Sequence, residues 1–205
     1  MSDVVTQLKS FWDSRYKGDE YAYGTEPNDY LVAQTGLIPK GGRVLCLADG
    51  EGRNSVFLAA QGFQVTAVEL SHEGIEKAKR LAAARGVTVT FIEEDVNSVD
   101  IKPGHWDAIV SIFLHLPKKL RQALHSKILL GLAPGGVYIY EAYTLDQLGK
   151  GTGGPKEAQV LAEPKAVLED FPQDRVHHFF AGERPIHEGP LHSGAGAVAQ
   201  VTIKN

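Results

Sequence analysis

The stretch VLCLADGEGRNSVFLAA, residues 44–60, joins a continuous apolar run to a turn with two glycines and then to a helix-forming segment. A continuous apolar run is typical of a strand that is buried on both faces of a sheet. Gly50 and Gly52 allow a tight turn that presents backbone N–H groups to a ligand at the start of the helix. We therefore predict a strand, a ligand-binding turn and a helix, although glycine-rich turns also occur without any ligand.

Strand-like and helix-like segments continue to alternate after this stretch. Further strands are predicted at QVTAVEL, VTVTFIEED, WDAIVSIF and VYIYEAY, with helix starts after Ser71 and at Pro117. The chain after residue 145 differs, since a Gly- and Lys-rich loop, LGKGTGGPKEA, precedes two facing strands, VHHFFAGERPIHEG and AVAQVTIKN. We predict an α/β fold of the doubly wound, Rossmann-like kind: a mostly parallel seven-stranded sheet with an antiparallel C-terminal hairpin and helices on both faces.

The composition limits the class of protein. With 205 residues the chain is long enough for one sizeable core and short for two. A net charge of −4 argues against a protein built mainly to bind nucleic acid. The single cysteine excludes an internal disulfide and favours a reducing compartment, and residues 1–17 contain no apolar signal core. We predict a cytoplasmic protein, monomeric or weakly dimeric, with a small-molecule substrate and neither a membrane nor a nucleic-acid partner.

Polar side chains lie at the predicted carboxyl ends of the strands, where ligands of open α/β sheets bind. Glu69 ends the second strand and can accept hydrogen bonds from both hydroxyls of a ribose, unless it is simply a solvated acid. Asp95, after the third strand, can accept from an adenine amino group or cap the turn at Asn97. Ser111 and Phe113, after the fourth strand, are placed to contact a cofactor.

Four blocks of the sequence, in order, carry a family resemblance: VLCLADGEG, AVEL, EED and LAPGGVYIYE. They resemble the signature blocks of class I S-adenosylmethionine-dependent methyltransferases. More narrowly, GEGRNSVFLAAQGFQVTAVELS and EGPLHSGAGAV are similar to the tellurite-resistance and thiopurine methyltransferase-like branch, which modifies small molecules. The resemblance implies methyl transfer from S-adenosylmethionine to a thiol, a metalloid oxyanion or a similar small acceptor.

The resemblance also implies a set of cofactor-binding positions. The glycine block would hold the methionine end, the acid after the second strand the ribose, and the acid after the third strand the adenine. Carried over by position, these are Gly50, Gly52, Glu69 and Asp95. The full set of predicted cofactor-binding residues adds Tyr23, Ala48, Leu70, Val96, Ser111 and Phe113. We predict a single domain over residues 1–205, with a helical cover (1–40), a cofactor-binding core (41–145) and a lid loop with hairpin (146–205).

Two positions depart from the family pattern. The family usually has Asp at the position of Cys46 and Gly at the position of Ala48. A small thiol fits inside a buried strand without strain. Alanine prefers a backbone φ below zero, so a turn that demands a positive φ at residue 48 would distort the site. The expected consequence is a change in cofactor affinity and not in fold.

The second substrate is expected at the ends of the later strands. The predicted pocket residues are His115, Glu141, Tyr143, Arg184 and His192. The catalytic residue stays open, with His115, Tyr143 and His192 as candidates, because a soft nucleophile needs no general base. A lone histidine such as His115 is also commonly structural. The eight histidines are scattered, so no metal site is predicted.

Aromatic residues before the core suggest a cover. Trp12, Tyr16, Tyr21 and Tyr23 can lie against a sulfonium cofactor, or they can pack the N-terminal helix onto the sheet. Residues 21–28 and 149–155 are both predicted to be mobile without cofactor and to close over it.

Two other functions remain open from the residues alone. The first is an NAD-dependent oxidoreductase, since two glycines followed by Glu69 also suit an NAD ribose. Against it, Ser55 stands where a third glycine belongs, and little chain remains for a substrate domain. The second is a protein that binds S-adenosylmethionine without catalysis.

Overall fold

A computed structural model describes residues 3–205 of the chain. Met1 and Ser2, the first residues of the predicted cover, lie outside the described part. The strands are β1 Arg43–Leu47, β2 Gln64–Glu69, β3 Thr90–Glu93, β4 Trp106–Ile112, β5 Leu132–Tyr143, β6 Val176–His187 and β7 Ser193–Lys204. The helices are α1 Asp3–Tyr16, α2 Asp29–Gln34, α3 Arg53–Ala60, α4 His72–Ala84, α5 Lys118–Gly131 and α6 Pro164–Leu168, and short 3-10 turns occur at Thr35–Leu37, Leu145–Gln147, Ala158–Val160 and Gln173–Arg175.

The strands form one sheet in the order β3-β2-β1-β4-β5-β7-β6. The pairs among β1 to β5 are parallel, and β7 runs antiparallel to both β5 and β6. Strand β1 lies between β2 and β4, so the chain turns outward in both directions from it and leaves a crevice at its carboxyl end. The predicted doubly wound, mostly parallel sheet with an antiparallel C-terminal hairpin is confirmed.

Strand β1 shows why its sequence is apolar throughout. Leu45 and Leu47 belong to the core cluster on one face of the sheet, and Val44 and Cys46 belong to the cluster on the other face. Each of these four side chains is at most 2% exposed. Burial raises the pKa of the Cys46 thiol well above its usual range. The thiol therefore behaves as a small apolar group in the core.

The segment LAPGG lies within β5 and not before it. Strand β5 begins at Leu132, and its register with β4 shifts between the pairs Trp106–Leu132 and Ala108–Val137. Leu132 is 2% exposed in this first part of the strand. The helix does end where LAPGG begins, since α5 stops at Gly131, but the strand predicted at VYIYEAY starts earlier because a bulge accommodates the proline and glycines within it.

Helix starts follow the predicted capping signals. The Ser71 hydroxyl accepts a hydrogen bond from the Gly74 N–H at 3.1 Å and caps α4. Pro117 is the residue immediately before α5. Asn28, which was not singled out, caps α2 by accepting from the Leu31 N–H at 2.9 Å. Within residues 3–205, no helix combines the length and apolarity needed to cross a bilayer.

Candidate cofactor and acceptor site

The turn after β1 contains three residues with left-handed backbone. The φ angles are +52° at Ala48, +62° at Gly50 and +90° at Gly52. A Cβ on Gly52 would lie 2.6 Å from the Cβ of Ala78 on α4, so this glycine also permits α3 and α4 to pack closely. The turn does demand a positive φ at Ala48, which costs an alanine roughly 1–2 kcal/mol. The alanine at position 48, where the family usually has glycine, is therefore strained, as predicted for a turn that requires a positive φ there.

Asp49 lies inside the same turn, and sequence reasoning did not assign it. Its carboxylate accepts from the Ser55 backbone N–H at 3.3 Å and from the Ser55 hydroxyl. Burial raises the pKa of Asp49 to about 6, against the opposing effect of these hydrogen bonds. The side chain thereby satisfies a free N–H group in the first turn of α3.

Glu69, at the end of β2, is buried and directed at the glycine turn. One carboxylate oxygen accepts from the Gly50 N–H at 2.8 Å, and the other accepts from the Ser71 N–H at 2.8 Å. The residue is only 6% exposed, and burial raises its pKa despite these two N–H donors. The alternative of a solvated acid was therefore wrong. Glu69 holds the glycine turn against the end of β2.

A groove of about 490 Å³ opens beside Glu69, at the ends of β2 and β3. It is lined by Val5, Lys9, Leu70, Glu93, Glu94, Asp95 and Ser98. Asp95 also accepts from the Asn97 backbone N–H at 2.9 Å and from its side-chain amide at 2.8 Å, so the predicted turn cap is present. Val96, the next predicted cofactor residue, is 7% exposed and packs in the core.

The N-terminal segment lies over the glycine turn. The Trp12 and Tyr16 rings stack with centroids 5.5 Å apart, and Tyr23 meets Tyr16 edge-on at 6.2 Å. The Tyr16 hydroxyl lies 2.9 Å from the position that a Cβ on Gly50 would occupy. The ring contacts of Trp12 lie within α1, whereas Tyr16 and Tyr23 approach the turn itself.

A buried ion pair joins this cover to the glycine turn. The Glu51 carboxylate accepts from the Ala22 N–H at 3.1 Å and the Tyr23 N–H at 3.2 Å. It also pairs with the Lys77 ammonium at 2.6 Å, and both side chains are at most 2% exposed. Lys77 in turn donates to the carbonyl of Glu20. The cover is therefore hydrogen-bonded to the glycine turn through one carboxylate.

Five rings gather at the ends of β4, β5 and β7, and we call them the aromatic chamber: Tyr23, Phe113, His115, Tyr143 and His192. Phe113 stacks on Tyr143 with centroids 4.6 Å apart, and His115 is nearly parallel to Tyr143 at 5.8 Å. His192 meets Phe113 edge-on at 4.8 Å, and Tyr23 at 4.5 Å. Phe113 has a φ of +57°, which turns the chain at the end of β4. The predicted pocket residues with rings therefore do meet.

The two chamber histidines are uncharged at neutral pH. Burial lowers the pKa of His115 to about 4, and burial together with the nearby Arg53 charge lowers that of His192 to about 3. His115 Nε2 accepts from the Tyr143 backbone N–H at 3.1 Å, so its lone pair is already engaged. In the described part of the chain, His192 Nδ1 and the Tyr143 hydroxyl have no hydrogen-bond partner. Of the three catalytic candidates, these two carry free polar atoms.

Beside the chamber lies a buried ion network, formed by Asn28, Arg53, Glu141, Arg184 and Glu188. Arg184 binds the Glu141 carboxylate through two donors at 2.7 and 2.8 Å, and its second donor also reaches Glu188 at 3.0 Å. Arg53 Nη2 binds Glu188 at 2.6 Å. The Asn28 amide donates to both carboxylates at 2.5 and 2.8 Å. Glu141 and Arg184 therefore bind each other, although both were predicted to face a substrate.

Two chain segments close the chamber from outside. The backbone of Gly24 packs against Gly189, since a Cβ on Gly189 would lie 2.3 Å from the Gly24 nitrogen. On the other side, a Cβ on Gly153 would lie 2.9 Å from the Tyr143 hydroxyl and 2.7 Å from His192 Cδ2. The Gln147 amide donates to the carbonyl of Gly153 at 3.0 Å. Both predicted lid segments thus contact the chamber in this structure.

The predicted site residues fall into two groups in space. Gly50, Gly52 and Glu69 meet at the glycine turn, and Leu70 and Asp95 line the groove beside it. Ser111 is 1% exposed within β4. The residues that sequence reasoning missed are Asn28, Asp49, Glu51, Arg53, Lys77 and Glu188. Three of these lie inside the glycine block DGEGRN, so their position next to the motif was the available signal.

The chain matches the family model of a methyltransferase domain over residues 44–136. It is 28% identical over 147 residues to a 2-heptyl-1-hydroxyquinolin-4(1H)-one methyltransferase of Mycobacteroides abscessus, covering 66% of this chain and 65% of that protein. The chain spans 29% and 35% of the lengths of two further curated relatives, which are 34% and 33% identical. The matched part is therefore less than two thirds of these relatives.

Solved structures share the fold over nearly the whole chain. One structure comes from work on the conversion of a disulfide bond into a thioacetal group during echinomycin biosynthesis. It has a TM-score of 0.75 at 18% sequence identity, and the match covers 97% of this chain and 91% of that chain. TehB from Haemophilus influenzae has a TM-score of 0.71 at 17% sequence identity, and the match covers 96% of this chain and 66% of the TehB chain. At these identities the likeness concerns the fold. It agrees with the predicted Rossmann-like sheet.

Proposed function

We propose that this chain, whose residues 44–136 form a class I S-adenosylmethionine-dependent methyltransferase domain, transfers the cofactor's methyl group to a small-molecule acceptor. The observation that carries the proposal is the position of the aromatic chamber. It lies at the carboxyl ends of the strands next to the glycine turn, and chain segments close it on two sides. A reaction that depends on positioning and on exclusion of water suits such an enclosed site.

The cofactor would lie across the glycine turn and the groove. Gly50 and Gly52 would face its methionine end, Glu69 its ribose, and Leu70 and Asp95 its adenine. When bound, S-adenosylmethionine supplies an electrophilic methyl group on a positively charged sulfur. The Tyr23 ring is part of the chamber, and its face would stabilise that charge by roughly 0.5–2 kcal/mol.

The acceptor would bind in the aromatic chamber. The histidines there are uncharged at neutral pH, and the carboxylates of Glu141 and Glu188 are both held by guanidinium groups. The chamber thus has no strong general base, which favours an acceptor that ionises easily. The relative from Mycobacteroides abscessus is named for a planar ring compound bearing an N-hydroxyl group. That name supports a small aromatic acceptor for this chain, beside the thiols and oxyanions that the sequence suggested.

Calorimetric titration tests the cofactor assignment. We expect S-adenosylhomocysteine, the demethylated form of the cofactor, to bind in the micromolar range and NAD to give no heat. Binding of NAD without S-adenosylhomocysteine would favour the oxidoreductase alternative. A protein that binds S-adenosylhomocysteine but methylates none of a panel of thiols, phenols and metalloid oxyanions would favour binding without catalysis.

Hydrogen exchange tests the two closing segments. We expect residues 21–28 and 149–155 to gain protection when S-adenosylhomocysteine binds, because both then lie over an occupied site. Unchanged exchange in residues 21–28 would remove Tyr23 from the cofactor site. A cytoplasmic location, the absence of a metal and the absence of a nucleic-acid partner remain predictions from the sequence.

A further inference from the structure

Three buried polar atoms at the aromatic chamber lack a hydrogen-bond partner among residues 3–205: Arg53 Nη1, the Tyr143 hydroxyl and His192 Nδ1. Arg53 and His192 are each 7% exposed, and Tyr143 is fully buried. Buried donors and acceptors are nearly always paired in folded proteins, because an unpaired one keeps its full desolvation cost. The Tyr138 hydroxyl is also unpaired but lies in the core, whereas these three atoms border the chamber, where a bound molecule can supply the missing partners.

Arg53 differs from the other guanidinium group of the buried ion network. Arg184 uses two donors on Glu141 and one more on the carbonyl of Pro185. Arg53 binds Glu188 through Nη2 and leaves Nη1 free. The Glu188 that Arg53 binds donates its backbone N–H to the His192 carbonyl at 2.8 Å, and the His192 ring lies 5.3 Å from the Tyr143 ring. One cationic donor without a partner among residues 3–205 thus lies at the edge of the chamber.

We propose that Arg53 Nη1 and the Tyr143 hydroxyl bind the anionic atom of the methyl acceptor, a thiolate or an ionised hydroxyl on a small ring. This inference rests on the proposed function. The acceptor loses its proton to solvent before it binds, so no protein base is needed. Its electron pair forms the new bond to the methyl carbon, while the bond from that carbon to the cofactor's sulfur breaks and leaves its electrons on sulfur.

The chamber would prefer an anion because of the two unpaired hydrogen-bond donors, Arg53 Nη1 and the Tyr143 hydroxyl, and not because of a net positive charge. Within the buried ion network the two carboxylates of Glu141 and Glu188 balance the two guanidinium groups of Arg53 and Arg184. If the small molecule that receives the methyl group were neutral, the N–H of Arg53 would have no anionic oxygen or sulfur to donate to. Hydrogen bonds in which one partner is charged are about twice as strong as neutral ones. The chamber should therefore select the ionised form of an acceptor.

The test compares an anion with its neutral methylated form in the complex of the protein with S-adenosylhomocysteine, where no turnover occurs. The probes are 4-nitrophenolate, at a pH where the phenol is ionised, and 4-nitroanisole. We expect the wild-type complex to bind the phenolate at least about tenfold more tightly, in line with a charged hydrogen bond. We expect Tyr143→Phe to reduce this preference by about fivefold and Arg53→Met to abolish it.

Tyr138→Phe is the matched control. Tyr138 lies on the same strand as Tyr143, is fully buried and also has an unpaired hydroxyl, but it packs in the core cluster against α5. We expect it to leave the phenolate preference unchanged. Because the Tyr143 hydroxyl has no partner, Tyr143→Phe breaks no contact and keeps the test independent of whether Arg53→Met folds.

Three results would overturn the proposal. Equal affinity for the two probes in the wild-type complex, or no binding of 4-nitrophenolate to it, would contradict an anion site. Loss of S-adenosylhomocysteine affinity in Arg53→Met with an unchanged phenolate preference would assign the free donor to the cofactor's carboxylate instead. Failure of the wild-type protein to bind S-adenosylhomocysteine at all would refute the proposed function, and it is measured separately, before either probe is added.

Discussion

At the ends of β1 and β2 backbone N–H groups bind the buried carboxylates of Glu51 and Glu69, whereas at the ends of β5, β6 and β7 the buried carboxylates are bound mainly by charged and amide side chains. In the first region, which we propose binds the cofactor and call the cofactor half, Glu69 binds two N–H groups and three residues have a positive φ. In the second, which we propose binds the acceptor and call the acceptor half, Glu141 and Glu188 are bound by Arg53, Arg184 and the Asn28 amide. A ligand common to a whole family can be held by backbone, while a particular acceptor needs particular side chains.

The two halves should respond differently to acid. The pKa of His192 is lowered to about 3, mainly by burial, from an ordinary value of 6.5. Because the unfolded chain binds a proton at this histidine below pH 6.5 and the folded chain does so only near pH 3, the free energy of unfolding falls as the pH is lowered between these values. By the linkage relation the loss is about 5 kcal/mol. We expect His192→Asn to flatten the dependence of the free energy of unfolding on pH in this window, measured by urea denaturation.

His72 is the control for this prediction. It is exposed, and its hydrogen bond to Glu93 raises its pKa, so its contribution has the opposite sign. His72→Asn should leave the acid loss of stability in place. An acid profile of His192→Asn that runs parallel to the wild type would contradict a buried, neutral His192.

Breaking the buried ion network should have the largest effect at neutral pH. Glu141 is fully buried and accepts from Arg184, Asn28 and Gln200. Glu141→Gln would leave the Arg184 charge without its main partner, and such changes cost about 3–5 kcal/mol. Urea denaturation at neutral pH measures this. Glu76→Gln removes an exposed pair with Lys79 and should leave the free energy of unfolding nearly unchanged. Similar losses in both variants would mean that the network is not a stabilising unit.

In the cofactor half the effect should appear in binding. Glu69 is buried at the end of β2, whereas the Glu76 side chain on α4 is 41% exposed and lies outside the groove. We expect Glu69→Gln to weaken S-adenosylhomocysteine binding by about 2–3 kcal/mol, since a charged acceptor of ribose hydroxyls is lost. Glu76→Gln should change the affinity by less than about fivefold. Equal effects in calorimetry, with both variants folded, would remove Glu69 from the site.

The smallest expected effect concerns the strained alanine. Ala48 has a φ of +52°, and we expect Ala48→Gly to raise the free energy of unfolding by about 0.5–1 kcal/mol, because relief of strain exceeds the added freedom of the unfolded chain. Ala83 lies on the exposed face of α4 with ordinary helical backbone. Ala83→Gly should lower stability by about 1 kcal/mol. A loss of stability in both variants would show that the turn imposes no strain.

The same contrast explains what the sequence could predict. The cofactor half lies mostly within one stretch, where Gly50, Gly52 and Glu69 follow a strand–turn–helix–strand pattern that is legible locally. The alternation of strands and helices also predicted the sheet and its C-terminal hairpin. The early start of β5 was missed because the bulge near its beginning is decided by pairing with β4, which a single segment does not reveal.

The acceptor half was only partly predictable. His115, Tyr143 and His192 were expected to meet, and they do. The ion network was missed because its partners are distant in the sequence: Asn28 and Glu188 are 160 residues apart, and Arg53 and Glu188 are 135 apart. Charged residues at such separations look like solvated surface groups in a linear reading. Only the folded chain shows that they are buried and paired.

The attachment of the cover to the glycine turn has a kinetic consequence. The stretch around residues 22–24 is bound at one end to Glu51 and packs at the other against Gly189, so a single piece of chain contacts both halves of the site. Opening that piece would release cofactor product and methylated acceptor through one event. When this opening is the slowest step, kcat becomes the same for acceptors that react quickly and acceptors that react slowly. In that case kcat depends on the viscosity of the solvent and not on the reactivity of the acceptor.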